Sequence, residues 1–308
     1  MSQFRRSSYH RSIVFSLAAL AFAANAQEPA PAAEVAPYRA ELENWRANRA
    51  RTVVEPGRPL SYTGLTWLRP GRNTIGSGPL NDVVLRGRGV PLALGALVRE
   101  GATVRFEPAD GTSATIDSAR AVAGTLRTDA EERPSRVLVG SAGFRIVKRV
   151  DSIGVRAWDA ALPALKSFSG IPYFPHDPQW RVSGRFVPLV PARKVAVMTE
   201  SGVPEEHEIV GSVRTTIGGV DYALTAFKSG GARLFITFAD ASSGEESYGF
   251  RFLQALRDTV TNVVTMDFNF AYNPDCAFSP FTTCPLPPPE NRIRSKVLAG
   301  ERAVKVRR

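Results

Sequence analysis

Residues 59–160 consist of short β-prone runs separated by glycine, proline, asparagine and aspartate, and this pattern constrains the fold most strongly. The runs are rich in valine, leucine, isoleucine and aromatic residues, and they lie at 65–68, 83–85, 103–106, 136–139, 144–148 and 155–158. Short strands divided by turn residues are typical of β-sandwiches and β-barrels. The sequence therefore predicts a mainly β fold.

A second series of β-prone runs predicts another antiparallel β unit. Runs at 209–217 and 220–227 flank Gly218 and Gly219, a pair that is typical of a two-residue hairpin turn. Further strands are predicted at 181–188, 194–198, 234–238, 247–253 and 263–270. We expect two sandwich-like or barrel-like domains, an N-terminal one within residues 37–160 and a C-terminal one within residues 161–301.

Residues 37–52 predict an amphipathic helix before the first strands. Pro37 suits the first turn of a helix, where its missing N–H is not needed. Spacings of four, three and four residues place four side chains on one helix face: Tyr38, Leu42, Trp45 and Arg49. We interpret this face as a packing surface, and we expect the helix to end before Val53.

The first 26 residues predict a secretory signal peptide. Arg5, Arg6 and Arg11 precede an apolar stretch at 13–23, and small residues follow at 24–26, where signal peptidase reads them. The apolar stretch is shorter than the roughly 20 residues that a membrane-spanning helix needs. We expect cleavage after residue 26, a flexible leader at 27–36, and a periplasmic or secreted protein.

Positive charge is concentrated near the C-terminal end. The chain has a formal net charge of +10, and these basic residues follow position 291 with Glu301 as the single acid: Arg292, Arg294, Lys296, Arg302, Lys305, Arg307 and Arg308. Because the basic residues do not extend over the β body, nucleic-acid binding is not expected. We interpret residues 302–308 as a loose basic tail, or as a segment that contacts an anionic envelope surface.

Cys276 and Cys284 are the two cysteines of the chain. In an exported protein an isolated, closely spaced pair favours a disulfide bond. Their spacing is unlike Cys-x-x-Cys, so a redox motif is less favoured. A metal site would need further ligands, and beyond the signal peptide only His176 and His207 remain. No metal and no cofactor is predicted.

Residues 267–291 combine polar side chains, both cysteines and a proline run, and they form the strongest candidate site. In an extended strand, Asp267 and Asn269 would face one side and Phe268 the other. The prolines would pin the next loop, so that Glu290 could supply a second carboxylate. Such a cluster suits general acid–base catalysis, cation binding, or recognition of a sugar or peptide. It is equally typical of a buried network that satisfies loop backbone groups.

An aromatic loop at 168–180 is the second candidate. Its three prolines exclude a regular helix. His176 stands beside Asp177 and is a candidate base, although Asp177 followed by proline also opens ordinary turns. The candidate catalytic residues are Asp267, Glu290 and His176. The candidate binding residues are Asp267, Asn269, Tyr272, Asn273, Asn291, Tyr173 and Trp180.

Several blocks resemble a known family. Residues 238–249, 267–274 and 284–291, together with Cys276, resemble the signature blocks of a bacterial, often exported family catalogued as domain of unknown function 1684. The resemblance covers most of residues 38–301 and implies a shared fold. It implies no activity, because the family has no established catalytic or ligand residues.

A second resemblance concerns the N-terminal half. Residues 71–76 and 81–85 resemble the opening of a forkhead-associated domain, a β-sandwich that reads phosphothreonine. That family usually has an arginine directly after its Ile-Gly and a Ser-x-x-His farther on, where this sequence has Ser77 and residues 91–94. The resemblance therefore implies sandwich topology and not phosphopeptide binding.

Two hypotheses follow for function. The first is a periplasmic binding or structural module that holds a small molecule, glycan or peptide with residues 267–291 and the aromatic loop. The second is a periplasmic hydrolase that uses Asp267 and Glu290 as a carboxylate pair, with His176. The hydrolase requires these groups to meet across an open cleft, whereas a structural network pairs its polar atoms inside the fold.

Overall fold

A computed structural model describes the backbone of residues 32–305 and the side chains of residues 36–305. The predicted signal peptide, the start of the predicted leader and residues 306–308 lie outside the described residues. The helices are α1 (Ala32–Val53) and α2 (Pro163–Ser167). The strands are β1 (Tyr62–Trp67), β2 (Gly71–Gly76), β3 (Val83–Val84), β4 (Gly95–Glu100), β5 (Thr103–Pro108), β6 (Thr115–Ile116), β7 (Ala119–Arg120), β8 (Gly124–Leu126), β9 (Val137–Val139), β10 (Ala142–Arg149), β11 (Ser152–Asp159), β12 (Arg181–Met198), β13 (Pro204–Ile217), β14 (Val220–Lys228), β15 (Arg233–Phe238), β16 (Arg251–Arg257) and β17 (Val263–Asp267).

Strands β1 to β11 form two sheets around one core. One sheet has the order β1-β11-β10-β9-β6-β7 and the other β3-β2-β4-β5-β8. Phe106 of β5 and Phe144 of β10 are fully buried, and their rings meet edge-on with centroids 5.8 Å apart. Alternating side chains of both sheets fill this core, as in a β-sandwich. The predicted mainly β fold is confirmed.

Strands β12 to β17 close into a six-stranded barrel. The turn between β13 and β14 is the predicted Gly218-Gly219 hairpin, and both glycines have the positive φ that such a turn requires. Several strands differ from their predicted bounds. β12 joins the runs predicted at 181–188 and 194–198, and β13 begins at Pro204 instead of position 209. β16 begins at Arg251, after a long turn, and β17 ends at Asp267 instead of continuing to Phe270.

Helix α1 begins at Ala32, earlier than the predicted start at Pro37. The alanine and glutamate residues of 32–36 favour a helix, which shortens the predicted leader. Its last residue, Val53, is buried in a small cluster with Leu60 and Phe278. The chain divides into two compact units after Ala40. The sheets and the barrel belong to the second unit, which begins at Glu41. In the described part of the chain, neither α1 nor α2 combines the length and the apolar character of a membrane-spanning helix.

The start of the predicted basic tail is docked on the barrel unit. The backbone N of Arg302 donates to the carbonyl of Pro172 at 2.9 Å, and its carbonyl accepts from Nδ2 of Asn273 at 2.7 Å. The next residue, Ala303, donates to the carbonyl of Glu246 at 3.1 Å. The structure therefore differs from the prediction of a loose tail here, because backbone hydrogen bonds and the packing of Val304 against the Phe278 cluster order the segment.

Candidate functional site

The strand that carries Asp267 ends at that residue, which changes the predicted arrangement of the motif. A 3₁₀ turn, Phe268–Phe270, follows directly. The Asp267 carboxylate accepts hydrogen bonds from the backbone N and from the side-chain Nδ2 of Asn269, both at 3.0 Å. Short polar side chains compete with a strand in this way by capping the next turn. The predicted alternation of these residues along one strand is therefore wrong.

Asn269 is fully buried and holds the aromatic loop in place. Its Oδ1 accepts from the backbone N of Asp177 at 3.2 Å, and its Nδ2 donates to the Asp177 carbonyl at 2.9 Å. The structure thus brings the aromatic loop and the Asp267 region together. The Asp177 carboxylate accepts from the backbone N of Gln179 at 2.9 Å, as in an ordinary turn. The half-buried His176 precedes this turn.

Asn291 joins two barrel strands where they separate. β14 and β15 pair directly at only two positions, both next to the loop that connects the two strands. The buried Asn291 side chain accepts from the backbone N of Thr225 at 2.7 Å and donates to the carbonyls of Thr225 at 3.0 Å and Thr237 at 2.8 Å. One side chain thereby replaces missing backbone hydrogen bonds. Asn291 is a structural residue, and its predicted role in binding gains no support.

Glu290 does not lie with Asp267. It is exposed, in the 3₁₀ turn Pro289–Asn291, whose last residue contacts β14 and β15. Asp267 ends β17, which pairs with β12 and β16. In the closed strand order these two places are on opposite sides of the barrel. The structure gives no support to a catalytic pair formed by Asp267 and Glu290.

Glu301 is the centre of a buried polar cluster. Its Oε1 pairs with Nε of Arg49 in helix α1 at 2.9 Å, and its Oε2 accepts from the backbone N of Asn273 at 2.8 Å. Arg49 also donates to the Asn273 carbonyl at 2.7 Å. Burial raises the pKa of Glu301, and the Arg49 guanidinium opposes that rise. We call Glu301, Arg49 and Asn273, together with Arg46 and Tyr173, the Glu301 cluster.

Three buried polar atoms of the Glu301 cluster have no hydrogen-bond partner among the described residues. They are the phenolic oxygen of Tyr173, Oδ1 of Asn273 and Nε of Arg46. The Tyr173 backbone forms a β-bridge with Glu301. Burial, together with the nearby Glu301 charge, raises the pKa of Tyr173. Buried polar atoms are normally paired, so three such atoms on neighbouring side chains mark a candidate ligand site.

Aromatic rings border the Glu301 cluster. The Arg46 guanidinium lies over the Tyr173 ring, 4.5 Å from its centroid. The Trp45 ring meets Tyr173 edge-on at 6.2 Å and Phe270 at 5.3 Å between centroids. All three rings are half-buried. They supply apolar surface next to the Tyr173 and Arg46 side chains.

Two other predicted binding residues serve packing. The backbone of Tyr272 pairs with Phe252, its ring lies 5.7 Å from the Phe252 ring, and burial raises its pKa. Trp180 meets the buried Phe268 edge-on at 6.5 Å. Among the predicted binding residues, Tyr173 and Asn273 are the two that belong to the Glu301 cluster.

A second buried charge pair holds the segment that carries Glu301. Arg251 and Asp240 are fully buried as side chains, with 3.2 Å between nitrogen and oxygen. Arg251 donates to the Val297 carbonyl at 2.8 Å and to the Glu301 carbonyl at 3.3 Å, while Asp240 accepts from the backbone N of Val297 at 2.6 Å. Burial lowers the pKa of Arg251, and Asp240 opposes that change. The pair fixes residues 297–301 and so positions Glu301.

Cys276 and Cys284 lie side by side as free thiols. The backbone N of Cys276 donates to Sγ of Cys284 at 3.2 Å. The pKa of the Cys276 thiol is raised, mainly by hydrogen bonding to Cys284 and, to a smaller extent, by burial. The two cysteines are therefore neighbours, as the predicted disulfide requires. The bond itself stays a prediction.

Two shallow hollows on the outside of the barrel do not coincide with the Glu301 cluster. One, of about 430 Å³, includes Leu256 and Val263 in its lining, and the other, of about 570 Å³, includes Arg214 and Tyr222. Neither contains a buried polar atom without a partner. We therefore place the candidate site at the Glu301 cluster.

The Glu301 cluster offers hydrogen bonds and apolar contacts. The raised pKa of Tyr173 keeps its phenol protonated, so that it can donate as well as accept. Asn273 adds an acceptor and Arg46 a donor. Within residues 36–305, no group of three histidine, cysteine, aspartate or glutamate side chains is arranged to hold a metal ion. This chemistry suits recognition of a polar molecule.

Comparison with known proteins concerns the barrel half of the chain. Residues 166–302 match the family model described as protein of unknown function (DUF1684). No curated protein matches the sequence. Among solved structures, the chain is similar to an uncharacterized protein from gene locus rrnAC0354 of Haloarcula marismortui, studied by solution NMR, with 31% identity, a TM-score of 0.39, and coverage of 46% of this chain and 80% of that chain. The matched range includes the barrel and the segment that carries Glu301, and the chain belongs to the DUF1684 family.

Proposed function

We propose that this protein is an exported binding module that holds a small hydrogen-bonding ligand, a glycan or a short peptide, at the Glu301 cluster. The observation that carries the proposal is the set of three partnerless buried atoms on Tyr173, Asn273 and Arg46. A buried polar group without a partner costs about 1–3 kcal/mol. A ligand that pairs these atoms recovers part of that cost on binding.

The three atoms define the complementary groups of the ligand. Oδ1 of Asn273 requires a donor, Nε of Arg46 requires an acceptor, and the Tyr173 hydroxyl takes either. A hydroxyl or an amide offers both kinds of group on neighbouring atoms. The half-buried rings of Trp45 and Phe270 add the apolar lining that small-molecule sites commonly contain. Sugars and peptides combine these polar and apolar features.

Hydrolysis by a carboxylate pair receives less support. Carboxylates that cleave glycosides lie roughly 5–10 Å apart on either side of the bond. Asp267 and Glu290 adjoin opposite sides of the barrel, and the Asp267 carboxylate is engaged by Asn269. Glu301 is paired with Arg49 and with backbone. A binding role does not require two carboxylates to face each other across a bond.

Export is supported by the N-terminal arginines, the apolar stretch and the small residues that follow it. We propose a periplasmic or secreted location, with peripheral contact between the basic C-terminal residues and an anionic envelope surface. Cell fractionation and the intact mass of the recovered protein test the location. Cleavage after Ala26 predicts a mature protein that begins at Gln27, and recovery of uncleaved cytoplasmic protein would contradict the proposal.

Binding is tested by isothermal titration calorimetry with two probes, di-N-acetylchitobiose and trialanine. Tyr173→Phe keeps the ring and removes the partnerless hydroxyl. The matched control is Tyr62→Phe, since the Tyr62 hydroxyl is paired with Arg145 outside the cluster. We expect one probe to bind, and Tyr173→Phe to weaken that binding roughly tenfold, the worth of one hydrogen bond. No binding of either probe, or equal effects of the two variants, would overturn the proposal.

A further inference from the structure

We infer that Cys276 and Cys284 form a disulfide whose role is to lock residues 276–284 as a strap between the N-terminal sheets and the barrel. The two cysteines are in place for the bond, because the Cys276 amide already donates to the Cys284 sulfur at 3.2 Å. The structure also shows which parts of the fold contact the loop between the two cysteines.

On one side the strap is held by buried arginines of the N-terminal sheets. Nε of Arg156 in β11 donates to the carbonyl of Phe281 at 3.0 Å. Nε of Arg149 in β10 donates to the hydroxyl of Thr283 at 2.6 Å. Arg149 also pairs with Asp129 at 3.0 Å. The loop between the cysteines therefore satisfies guanidinium groups that would otherwise be buried with fewer partners.

On the other side the strap is held by the end of β12. The backbone N of Glu200 donates to the Cys284 carbonyl at 3.0 Å, and the backbone N of Leu286 donates to the Met198 carbonyl at 2.9 Å. Thr199 forms a β-bridge with Pro285 between them. The C-terminal end of the strap and the two residues after it thus pair with the end of β12. The loop between the cysteines is hydrogen-bonded to the N-terminal sheets. Closing the ring between the cysteines holds both contacts at once.

The two thiols differ in access. Cys284 is buried, whereas Cys276 is half-buried and is the thiol that an oxidant reaches first. The raised pKa of Cys276 keeps it a thiol near neutral pH, so oxidation of the folded chain is slow and accelerates as pH rises. Hydrogen bonding to Cys284 brings the second sulfur into position for the closing step.

The oxidant is a disulfide, and the exchange is balanced in two steps. The Cys276 thiolate attacks one sulfur of the oxidant, forms a mixed disulfide and releases one thiolate. The Cys284 thiolate then attacks the Cys276 sulfur, forms the internal bond and releases the second thiolate. The protein loses two electrons and two protons, and the oxidant becomes two thiols.

The test compares the full chain after oxidised glutathione, the same protein after a phosphine reductant, and the double variant Cys276→Ser with Cys284→Ser. Oxidation should lower the intact mass by two hydrogens and protect the thiols from iodoacetamide. It should raise the melting temperature by roughly 5–10 °C relative to the reduced form and the double variant, as a ring of this length predicts.

Hydrogen exchange distinguishes a strap from a disulfide without that role. In the oxidised form the amides of Glu200 and Leu286 should exchange roughly tenfold more slowly, or slower still, than in the reduced form. The double variant should match the reduced protein. Thiols that stay reactive after oxidised glutathione at alkaline pH would overturn the bond. Equal exchange at Glu200 and Leu286 in the two redox states would overturn the strap.

Discussion

Replacing Asn291 with alanine should destabilise the barrel far more than its position in a loop indicates. The side chain is fully buried and makes three hydrogen bonds to backbone groups of Thr225 and Thr237. Alanine leaves one N–H and two carbonyl groups unpaired at a point where β14 and β15 no longer pair directly. A buried polar group that loses its partner costs about 1–3 kcal/mol.

Water can reach some of these groups once the side chain is removed, so the three costs are not fully additive. We expect a loss of about 3–4 kcal/mol in the free energy of unfolding, at the upper end for single substitutions. The corresponding fall in melting temperature is roughly 10 °C. Asn291→Asp should be at least as damaging, because it keeps the acceptor for Thr225, removes both donors and buries a charge.

Urea unfolding monitored by circular dichroism measures the effect. The variants are comparable if the free energy of unfolding depends on urea concentration with the same slope in each. The matched control is Glu290→Ala, one residue earlier and exposed, which should change stability by less than about 0.5 kcal/mol. The reasoning would be refuted if Asn291→Ala differed from Glu290→Ala by less than about 1 kcal/mol. That outcome would mean that β14 and β15 do not depend on the Asn291 bridge.

Three further predictions concern the Glu301 cluster and its neighbours. Tyr173→Phe removes a partnerless hydroxyl and should leave thermal stability unchanged or raise it, whereas Tyr62→Phe should cost about 1 kcal/mol because it breaks the bond to Arg145; the reverse order in thermal melts would contradict the assignment. Because burial raises the pKa of Glu301, the folded state retains this proton more strongly than the unfolded state. The free energy of unfolding of the wild type, relative to that of Glu301→Gln, should be greatest below the ordinary glutamate pKa and should fall as pH rises through the raised pKa. A difference that grows with pH would show that the ion pair with Arg49 dominates. Truncation after Glu301 should cost about 1–3 kcal/mol in urea unfolding, because Asn273 and Pro172 lose their bonds to Arg302, and an unchanged midpoint would show that the docked segment contributes nothing.

Local sequence patterns predicted the elements whose signals are local. The hairpin at Gly218-Gly219 follows from two residues that accept positive φ. In the N-terminal half, the predicted β-prone runs correspond to β1, β3, β5, β9, β10 and β11, whereas β2, β4 and the short strands β6 to β8 lie outside them. The sequence does not predict the end of β17 at Asp267, because the same residues are compatible with a continued strand and with a turn that the aspartate caps.

The candidate site depended on contacts between distant parts of the chain. The sequence motifs predict Tyr173 and Asn273 as binding residues, but they identify Glu301 only as one acid in a basic segment. The helical spacing places its partner Arg49 on the packing face of a helix. No periodicity or spacing connects Arg49 with Glu301, and only the closed fold brings them together at 2.9 Å. A buried ion pair of this kind has no local sequence signal.

The separation of Arg49 and Glu301 by 252 positions also affects the order in which the protein can fold. A ribosome makes Arg49 early and Glu301 late, so Arg49 lacks this partner until the next 252 residues have been synthesised. The same delay applies to Arg251, whose carbonyl partners at Val297 and Ala299 emerge 46 and 48 residues after it. Contacts of such long range are slow to form and come late in folding. Folding of the barrel therefore has to wait until residues 297–301 have been synthesised, and chains that stop before residue 297 should remain partly folded targets for proteolysis.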